Sequence, residues 1–333
     1  MKALFLVKNG KTEEAFELRD IKITEPSDNE VGVEVEAFGL NFADVMARLG
    51  LYKDCPPLPT IIGYETVGRV LKKGKNITHV KEGDRVIAFT RFGGYSQYVI
   101  TEEKAVVKID EQYDVVKALA LATQYCTAFY ACSVATNVLP GEKVLVQAAA
   151  GGVGTALVQL CKLKGAIIYG TAGSPSKIEY LKQQGVDFPI NYNEKSIDQI
   201  PEKMDVVFDS LGGADFKKGY NLLNRGGRLV GYGAASQTEG QNIFGLVKLG
   251  IGFGIYHPVQ LLMESRAIIG VNMLRIADYK PDTLKHCMEQ VVALAEAGKI
   301  DPTVGGLYDI ANIAKAHTDL EKRKTIGKLG IKW

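Results

Sequence analysis

The sequence has few of the patterns that indicate metal binding, disulfide bonding or nucleic-acid binding. Its five cysteines form no C-x-x-C pair, and its four histidines are not spaced with a cysteine or with one another as metal ligands. The odd number of cysteines argues against a disulfide framework and for a reducing compartment. The formal net charge is +2 without a strongly basic block, so nucleic-acid binding has no electrostatic support. We expect neither a metal nor a nucleic-acid partner.

Long apolar runs are also scarce. The N-terminus lacks the apolar core and cleavage site of a signal peptide, so a cytoplasmic protein is the default expectation. Residues 242–263 are largely apolar, but Lys248, His257 and Pro258 interrupt them and four glycines dilute them. A membrane-spanning helix needs about 20 mostly apolar residues without such breaks. We expect no span here, and a contact with a membrane surface, a partner or a second copy of the chain stays open.

The pattern of predicted elements changes along the chain. The first third contains short strand candidates separated by turns, which indicates a barrel-like β domain. From residue 143 onward, strands and helices alternate, as in a doubly wound parallel sheet. Strands are predicted at 31–37, 66–71, 85–89, 95–100, 143–147, 166–170, 188–190, 204–208, 228–232 and 267–271. Helices are predicted at 114–136, 153–164, 175–184, 216–223, 259–264, 280–297 and 310–321.

The sharpest local signal is the run VLVQAAAGGVG at 144–154, in which an apolar strand enters a small-residue turn and a helix begins. Small residues let such a turn close tightly, and let a diphosphate approach the main chain at the helix N-terminus. Ala148, Gly151 and Gly154 hold the three small positions. The pattern predicts a dinucleotide site. Its contact residues are predicted to be Ala150, Gly151, Gly152 and Val153.

The next strand end indicates which dinucleotide is bound. An NAD site places an acidic residue there for the ribose hydroxyls, but the run GTAGSPSK at 170–177 has none. Ser174 is a candidate N-cap with Pro175 at the first helical position, and such a helix start with Lys177 can hold an anion. The 2′-phosphate of NADP fits this role, so we predict NADPH as the cofactor. The predicted phosphate contacts are Gly173, Ser174, Lys177 and Tyr192.

Two later strand ends also indicate cofactor contacts, but by a weaker signal. The runs DSLGG at 209–213 and GYG at 231–233 put glycines at the carboxyl edge of the predicted sheet, where ligands bind in open parallel sheets. Leu211, Gly231, Tyr232 and Gly233 are therefore supporting candidates for cofactor contacts.

Several motifs together resemble the medium-chain dehydrogenase/reductase superfamily over essentially the whole chain. They are GYETVGRV at 63–70, GDRV at 83–86 and the turn at 148–154. The runs NFAD at 41–44 and GLY at 50–52 are most similar to the zinc-free quinone oxidoreductases, and the second half resembles the vesicle amine transport protein branch. The resemblance implies a GroES-like catalytic domain at 1–122 and 265–333, and a Rossmann domain at 123–264. It also implies homodimers joined at the edges of the Rossmann sheets.

The resemblance further implies a site without zinc. Zinc members have a cysteine near Asn41 and a histidine at Tyr64, and neither residue here is a plausible zinc ligand. Substrate polarisation must then come from hydrogen bonds, for which Asn41, Tyr52 and Tyr64 are the candidates. Thr127 matches a family position near the nicotinamide. Met46 stands where bacterial quinone reductases often have a tyrosine, which suggests a more apolar pocket.

The resulting hypothesis is an enzyme that transfers hydride from NADPH to a quinone or to an α,β-unsaturated carbonyl. Two alternatives stay open. One is an enoyl-thioester reductase, for which the sequence shows no obvious basic cluster to hold a coenzyme A phosphate. The other is a regulatory or membrane-associated module that binds NADPH with little turnover.

Overall fold

The computed structural model describes residues 1–234 and 252–333. Their contacts divide the chain into two compact units. The β-rich unit consists of Met1–Cys126 and Met273–Trp333, and the parallel-sheet unit consists of Thr127–Asn272. The fold is therefore mixed α/β, a GroES-like unit together with a Rossmann-like unit, as the sequence predicts.

The β-rich unit is built on a seven-stranded sheet of order β14-β15-β3-β4-β5-β7, with β6 paired to β3, and on a separate β1-β2 pair. In β3, Glu34 and Glu36 are exposed while Val33 and Val35 are buried, which is the alternation expected of a half-buried strand. The strands are β1 (Lys2–Leu6), β2 (Phe16–Asp20), β3 (Glu30–Leu40), β4 (Glu65–Lys73), β5 (Arg85–Phe89), β6 (Tyr98–Glu102), β7 (Val106–Lys108), β14 (Val304–Asp309) and β15 (Lys328–Lys332).

Helices cover this unit at Thr12–Ala15, Phe42–Arg48, Met273–Tyr279, Pro281–Glu296 and Ile313–Glu321. The sequence pattern does not predict the helices Thr12–Ala15, Phe42–Arg48 and Met273–Tyr279 or the strands β1, β2, β7, β14 and β15. It also placed β6 too early. Ser96 forms an isolated bridge to Ala3, so the regular pairing with β3 starts only at Tyr98.

The parallel-sheet unit has six strands in the order β10-β9-β8-β11-β12-β13, and every described pairing among them is parallel. The strands are β8 (Lys143–Val146), β9 (Ile167–Ala172), β10 (Phe188–Asn191), β11 (Met204–Asp209), β12 (Leu223–Gly231) and β13 (Ala267–Gly270). The helices Gly152–Leu163, Pro175–Gln183, Gly213–Leu222 and Pro258–Glu264 lie between them in sequence. The predicted alternation of strands and helices is confirmed, because each predicted strand from 143 onward overlaps an observed one.

One described helix, Val115–Ala135, is long and apolar enough to cross a membrane by length and composition. Of the most apolar 18-residue stretch of this helix, 67% is buried inside the protein, as in the core helix of a folded domain. It matches the helix predicted at 114–136, and it contains two π-helical turns, Leu121–Tyr125 and Tyr130–Ala135.

The apolar segment predicted to contact a partner lies partly outside the described residues, since the structure begins again at residue 252. The described helix Pro258–Glu264 has no buried residue, and Ile255, Leu262 and Met263 are at least three-quarters exposed. Contact of this segment with a membrane, a partner or a second chain stays a prediction, as does the homodimer.

Candidate functional site

The turn after β8 has the geometry that a bound diphosphate needs. Gly151 is the N-cap of the helix Gly152–Leu163, and no side chain caps that helix. The first N–H groups of the helix have no acceptor in the helix itself, and Gly151 has no side chain to supply one. A methyl group on Gly154 would overlap the Ala148 carbonyl oxygen and lie 2.7 Å from the Ala149 Cα. Only glycine at 154 lets the helix approach the turn this closely, and Ala150, Gly151, Gly152 and Val153 all lie at this junction.

The end of β9 adjoins this turn. The Thr171 Oγ1 accepts a hydrogen bond from the Ala148 N–H at 3.1 Å, and the Thr171 carbonyl accepts one from the Ala149 N–H at 2.9 Å. Because these bonds tie the two loops together, the dinucleotide turn and the predicted phosphate residues occupy neighbouring strand ends.

The predicted phosphate residues are adjacent in the structure. The Ser174 hydroxyl caps the helix Pro175–Gln183 by accepting the Lys177 N–H at 3.4 Å. Tyr192, after β10, is 41% exposed, and its hydroxyl lies so close to Gly173 that a methyl group there would overlap it. Gly173, Ser174, Lys177 and Tyr192 thus form one partly exposed surface at the ends of β9 and β10, without a carboxylate from the end of β9.

The ends of β11 and β12 also meet. The Tyr232 N–H donates to the Asp209 carbonyl at 2.9 Å, and a methyl group on Gly233 would lie 2.9 Å from the Ser210 carbonyl oxygen. Leu211, Gly231, Tyr232 and Gly233 therefore belong to one pair of adjacent loops at the carboxyl edge of the sheet. This edge is where ligands bind in parallel α/β sheets.

Asp209 holds the first of these loops in place. Its Oδ1 accepts the Gly212 N–H at 2.7 Å, while its buried Oδ2 has no hydrogen-bond partner among residues 1–234 and 252–333. Burial raises the pKa of the Asp209 carboxyl to about 6. In the sequence, Asp209 is notable only as the start of a glycine-containing loop.

In the β-rich unit, Asn41 belongs to a buried group of polar and charged side chains. Its Nδ2 donates to Glu65 Oε2 at 2.6 Å, and its Oδ1 accepts from Lys328 Nζ at 3.0 Å. Lys328 also forms an ion pair with Glu65, and both side chains are fully buried. Thr123 Oγ1 donates to Glu65 Oε2 at 2.6 Å. We call Asn41, Glu65, Thr123 and Lys328 the buried polar cluster.

Asp44 lies beside this cluster. Its Oδ2 accepts the Asn41 N–H at 2.7 Å, while its buried Oδ1 has no hydrogen-bond partner within the described residues. Burial, followed by the charge of Glu65, holds the pKa of Asp44 well above its usual range.

Tyr52 and Tyr64 pack edge to face, with ring centroids 6.1 Å apart. Tyr64 is buried, and its hydroxyl forms no hydrogen bond of normal geometry with a described residue. Burial, and after it the charge of Asp44, raises the pKa of Tyr64. Tyr52 is half-buried, and burial raises its pKa as well. Both phenols therefore keep their protons at neutral pH and can act as hydrogen-bond donors.

Thr127 and Met46, the remaining residues singled out from the sequence, both lie in helices. Thr127 is buried in the helix Val115–Ala135, and it is the first residue of the parallel-sheet unit. Met46 is buried in the helix Phe42–Arg48 of the β-rich unit. Within residues 1–234 and 252–333, no group of three or more His, Cys, Asp or Glu side chains is arranged to hold a metal ion. That this site works without a metal stays a prediction.

Sequence analysis missed Glu65, Thr123 and Lys328 as functional candidates. In the sequence, Glu65 is notable only as part of the motif GYETVGRV at 63–70. Lys328 had one detectable signal, a lone lysine in the short apolar run KLGI at 328–331. That signal indicates a buried charge in need of a partner, but its partners lie 263 and 287 residues away in sequence.

Comparison with known proteins agrees with this architecture. Residues 27–111 match the family model of the alcohol dehydrogenase GroES-like domain, and residues 152–289 match that of the zinc-binding dehydrogenases. The human synaptic vesicle membrane protein VAT-1 homolog is 36% identical over 312 residues, which cover 91% of this chain and 79% of the relative.

Two solved structures have the same fold. Escherichia coli quinone oxidoreductase, complexed with NADPH, aligns over 100% of both chains with a TM-score of 0.86 and 26% identity. CurK enoyl reductase aligns over 99% of this chain and 98% of its own, with a TM-score of 0.84 and 27% identity.

Fold and sequence motifs thus define a two-domain oxidoreductase of the medium-chain dehydrogenase/reductase type. Within that superfamily the chain belongs to the quinone oxidoreductase-like group, in the branch of the VAT-1 homologues.

Proposed function

We propose that this protein is an NADPH-dependent reductase that transfers hydride to a quinone or to the β-carbon of an α,β-unsaturated carbonyl, without zinc. The observation that carries the proposal is the edge of the parallel sheet, where an uncapped helix start, held against its turn by Gly154, adjoins Ser174, Lys177 and Tyr192. A diphosphate fits the first of these features and a 2′-phosphate fits the second. The NADPH in the related Escherichia coli quinone oxidoreductase supports this assignment.

When bound, the nicotinamide supplies the hydride, and the chain's own residues bind and orient the reactants. The N–H groups at Gly152 and Val153 would hold the diphosphate, and Ser174, Lys177 and Tyr192 would hold the 2′-phosphate. Leu211, the Gly231–Gly233 loop and Thr127 would hold the rest of the dinucleotide. Asn41 and Tyr52 donate hydrogen bonds to the oxygen that gains negative charge as the acceptor is reduced.

Reduction of an enoyl thioester is a second candidate, and the similarity to CurK enoyl reductase favours it. The hydride is accepted at the same kind of carbon, β to a carbonyl, so the same hydrogen-bond donors serve both reactions. The two candidates differ in the body of the substrate, since a thioester carries a phosphorylated carrier that a small quinone lacks.

The test of the cofactor is a fluorescence titration of the purified protein with NADPH and with NADH. Lys177→Ala is expected to weaken NADPH binding roughly tenfold or more, the loss of a charged hydrogen bond, and to leave NADH binding nearly unchanged. Lys182→Ala is the matched control, because Lys182 is an exposed lysine on the same helix. Equal affinity for both nucleotides in the wild-type protein contradicts the phosphate site.

The test of the reaction is addition of 9,10-phenanthrenequinone, and separately of crotonyl-coenzyme A, to the NADPH-saturated protein. Oxidation of NADPH by the quinone supports the leading proposal, and oxidation only by the thioester favours the enoyl reductase. Tight NADPH binding without oxidation by either acceptor contradicts both, and leaves a binding module with little turnover.

A further inference from the structure

The orientation of Asn41 is fixed by a buried ion pair. An asparagine amide has one acceptor oxygen and two N–H donors, and it can rotate to exchange their positions. Here Lys328 donates to Oδ1 and Glu65 accepts from Nδ2, so each end faces the only kind of partner it can satisfy. Reversing the amide would point its N–H groups at an ammonium and its oxygen at a carboxylate. The charges on both sides therefore select one orientation.

The backbone makes room for this arrangement. A methyl group on Gly39, in β3, would overlap Glu65 Oε1 and lie 2.6 Å from Lys328 Cε. Lys328 also donates to the Leu40 carbonyl at 3.3 Å, and Thr123 supplies a second hydrogen bond to Glu65 Oε2. Two side chains that are distant in sequence, Glu65 and Lys328, thus meet at the amide of Asn41, and Thr123 supports Glu65.

Asn41 is also held from the backbone side. Its N–H donates to Asp44 Oδ2, which places Asn41 at the start of the helix Phe42–Arg48 with extended backbone angles. Main chain and side chain are therefore both fixed, and the second N–H of Nδ2 has a defined direction. Such preorganisation is what a donor to a developing negative charge requires, because no reorganisation is then needed during the reaction.

We propose that Lys328 and Glu65 are positioning residues that hold Asn41 as a hydrogen-bond donor toward the substrate oxygen. The inference rests on the proposed reductase function and deepens it. Neither residue touches the substrate. They act through Asn41, and their charges determine whether Asn41 presents an N–H group or a carbonyl oxygen to the oxygen that is reduced.

The experiment compares Lys328→Met with the double variant Glu65→Gln/Lys328→Met. The single variant leaves a buried carboxylate unpaired and is expected to lose stability, so its low activity alone decides nothing. The double variant removes both charges of the ion pair, and we expect its thermal stability to recover. If the two residues position Asn41, kcat and kcat/KM of the double variant for quinone reduction should stay roughly tenfold or more below the wild-type values. Its NADPH affinity should stay within about twofold of the wild-type affinity.

Lys332→Met is the control, because Lys332 lies in the same strand but is half-exposed and paired with Asp309 at 3.2 Å. It is expected to keep wild-type kcat. If the double variant regains activity together with stability, Lys328 and Glu65 are structural only, and the proposal is overturned.

A readout independent of activity separates this proposal from the proposed function. With 15N-labelled asparagine, the Asn41 side-chain signal is identified by its loss in Asn41→Asp. One amide proton, bonded to a carboxylate, should lie downfield and exchange slowly with water in the wild-type protein, and this asymmetry should be lost in the double variant. If the signal is the same in both, the ion pair does not orient Asn41. If orientation is lost although the wild-type protein reduces neither acceptor, the proposed function fails while the positioning role stands.

Discussion

The two candidate regions of this protein are built in opposite ways. The first is the carboxyl edge of the parallel sheet at 150–154, 173–177 and 231–233, which we call the nucleotide edge. It consists mainly of backbone N–H groups, glycines and polar side chains that follow the strands. The buried polar cluster of the β-rich unit consists of four side chains, Asn41, Glu65, Thr123 and Lys328, from segments far apart in sequence. The first region depends on close approach of the main chain, and the second depends on charge pairing inside the protein. The nucleotide edge should therefore be most sensitive to added side-chain volume, and the buried polar cluster to the loss of a charge.

The largest effect on cofactor binding is expected at Gly154. Substitution by alanine puts a methyl group into the Ala148–Ala149 backbone, so the helix must move away from the turn. Because the helix start then no longer faces the diphosphate, we expect NADPH affinity to fall by about 100-fold or more in a fluorescence titration, or roughly 3 kcal/mol.

Gly270→Ala is the matched control for this change. Gly270 lies in β13 of the same sheet, and a methyl group there meets nothing within 4 Å. It should bind NADPH like the wild-type protein. Wild-type affinity in Gly154→Ala would mean that this turn does not hold the cofactor.

The buried polar cluster should respond to loss of charge. Lys328→Met leaves Glu65 buried without its ammonium partner, and we expect the free energy of unfolding to fall by about 3–5 kcal/mol. Denaturant titration measures this loss. Glu65→Gln/Lys328→Met should recover most of it, and a double variant no more stable than the single one would contradict the assignment of the loss to unpaired charge.

The two regions also differ in how well the sequence predicts them. The glycine turn, the missing acid and Ser174-Pro175 lie within about 30 consecutive residues, so local rules for strand, turn and helix ends predict them. Lys328 and Glu65 are 263 residues apart, and only the β15–β3 and β3–β4 pairings bring them together. No local propensity encodes that contact. The helix Phe42–Arg48 was missed for a related reason, since its seven residues are too few to show a helical period.

The buried His317 makes the free energy of unfolding of the β-rich unit depend on pH. It is fully buried, its Nε2 lies 3.1 Å from the Tyr95 hydroxyl, and burial together with the nearby Arg48 lowers its pKa to about 3. The unfolded chain binds the proton near pH 6.5 and the folded chain does not. Stability is therefore complete above about pH 6.5 and falls by roughly 1 kcal/mol per pH unit as the pH drops toward 3.

Denaturant titrations at several pH values test this linkage. His317→Gln should flatten the dependence below pH 6.5, whereas the exposed His286→Gln should leave it as in the wild-type protein. An unchanged slope in His317→Gln would assign the acid sensitivity to other groups.

The smallest effect is expected at Tyr64. Its buried hydroxyl has the Tyr52 hydroxyl as a neighbour but forms no hydrogen bond of normal geometry with the described residues, so Tyr64→Phe removes a poorly satisfied polar group at little loss of packing. We expect the free energy of unfolding to rise by about 0.5–1 kcal/mol and reductase activity to change less than in Tyr52→Phe. A large loss of kcat in Tyr64→Phe would instead make Tyr64 a hydrogen-bond donor to the substrate.

The central claim is that the carboxyl edge of the parallel sheet holds NADPH, and hydrogen–deuterium exchange with and without NADPH tests it most directly. The account predicts that saturating NADPH slows exchange in the peptides that contain 150–154, 173–177 and 231–233, with less protection at 173–177 when NADH replaces it. Exchange at these three segments that is unaffected by NADPH, under conditions where binding is saturated, would contradict the account.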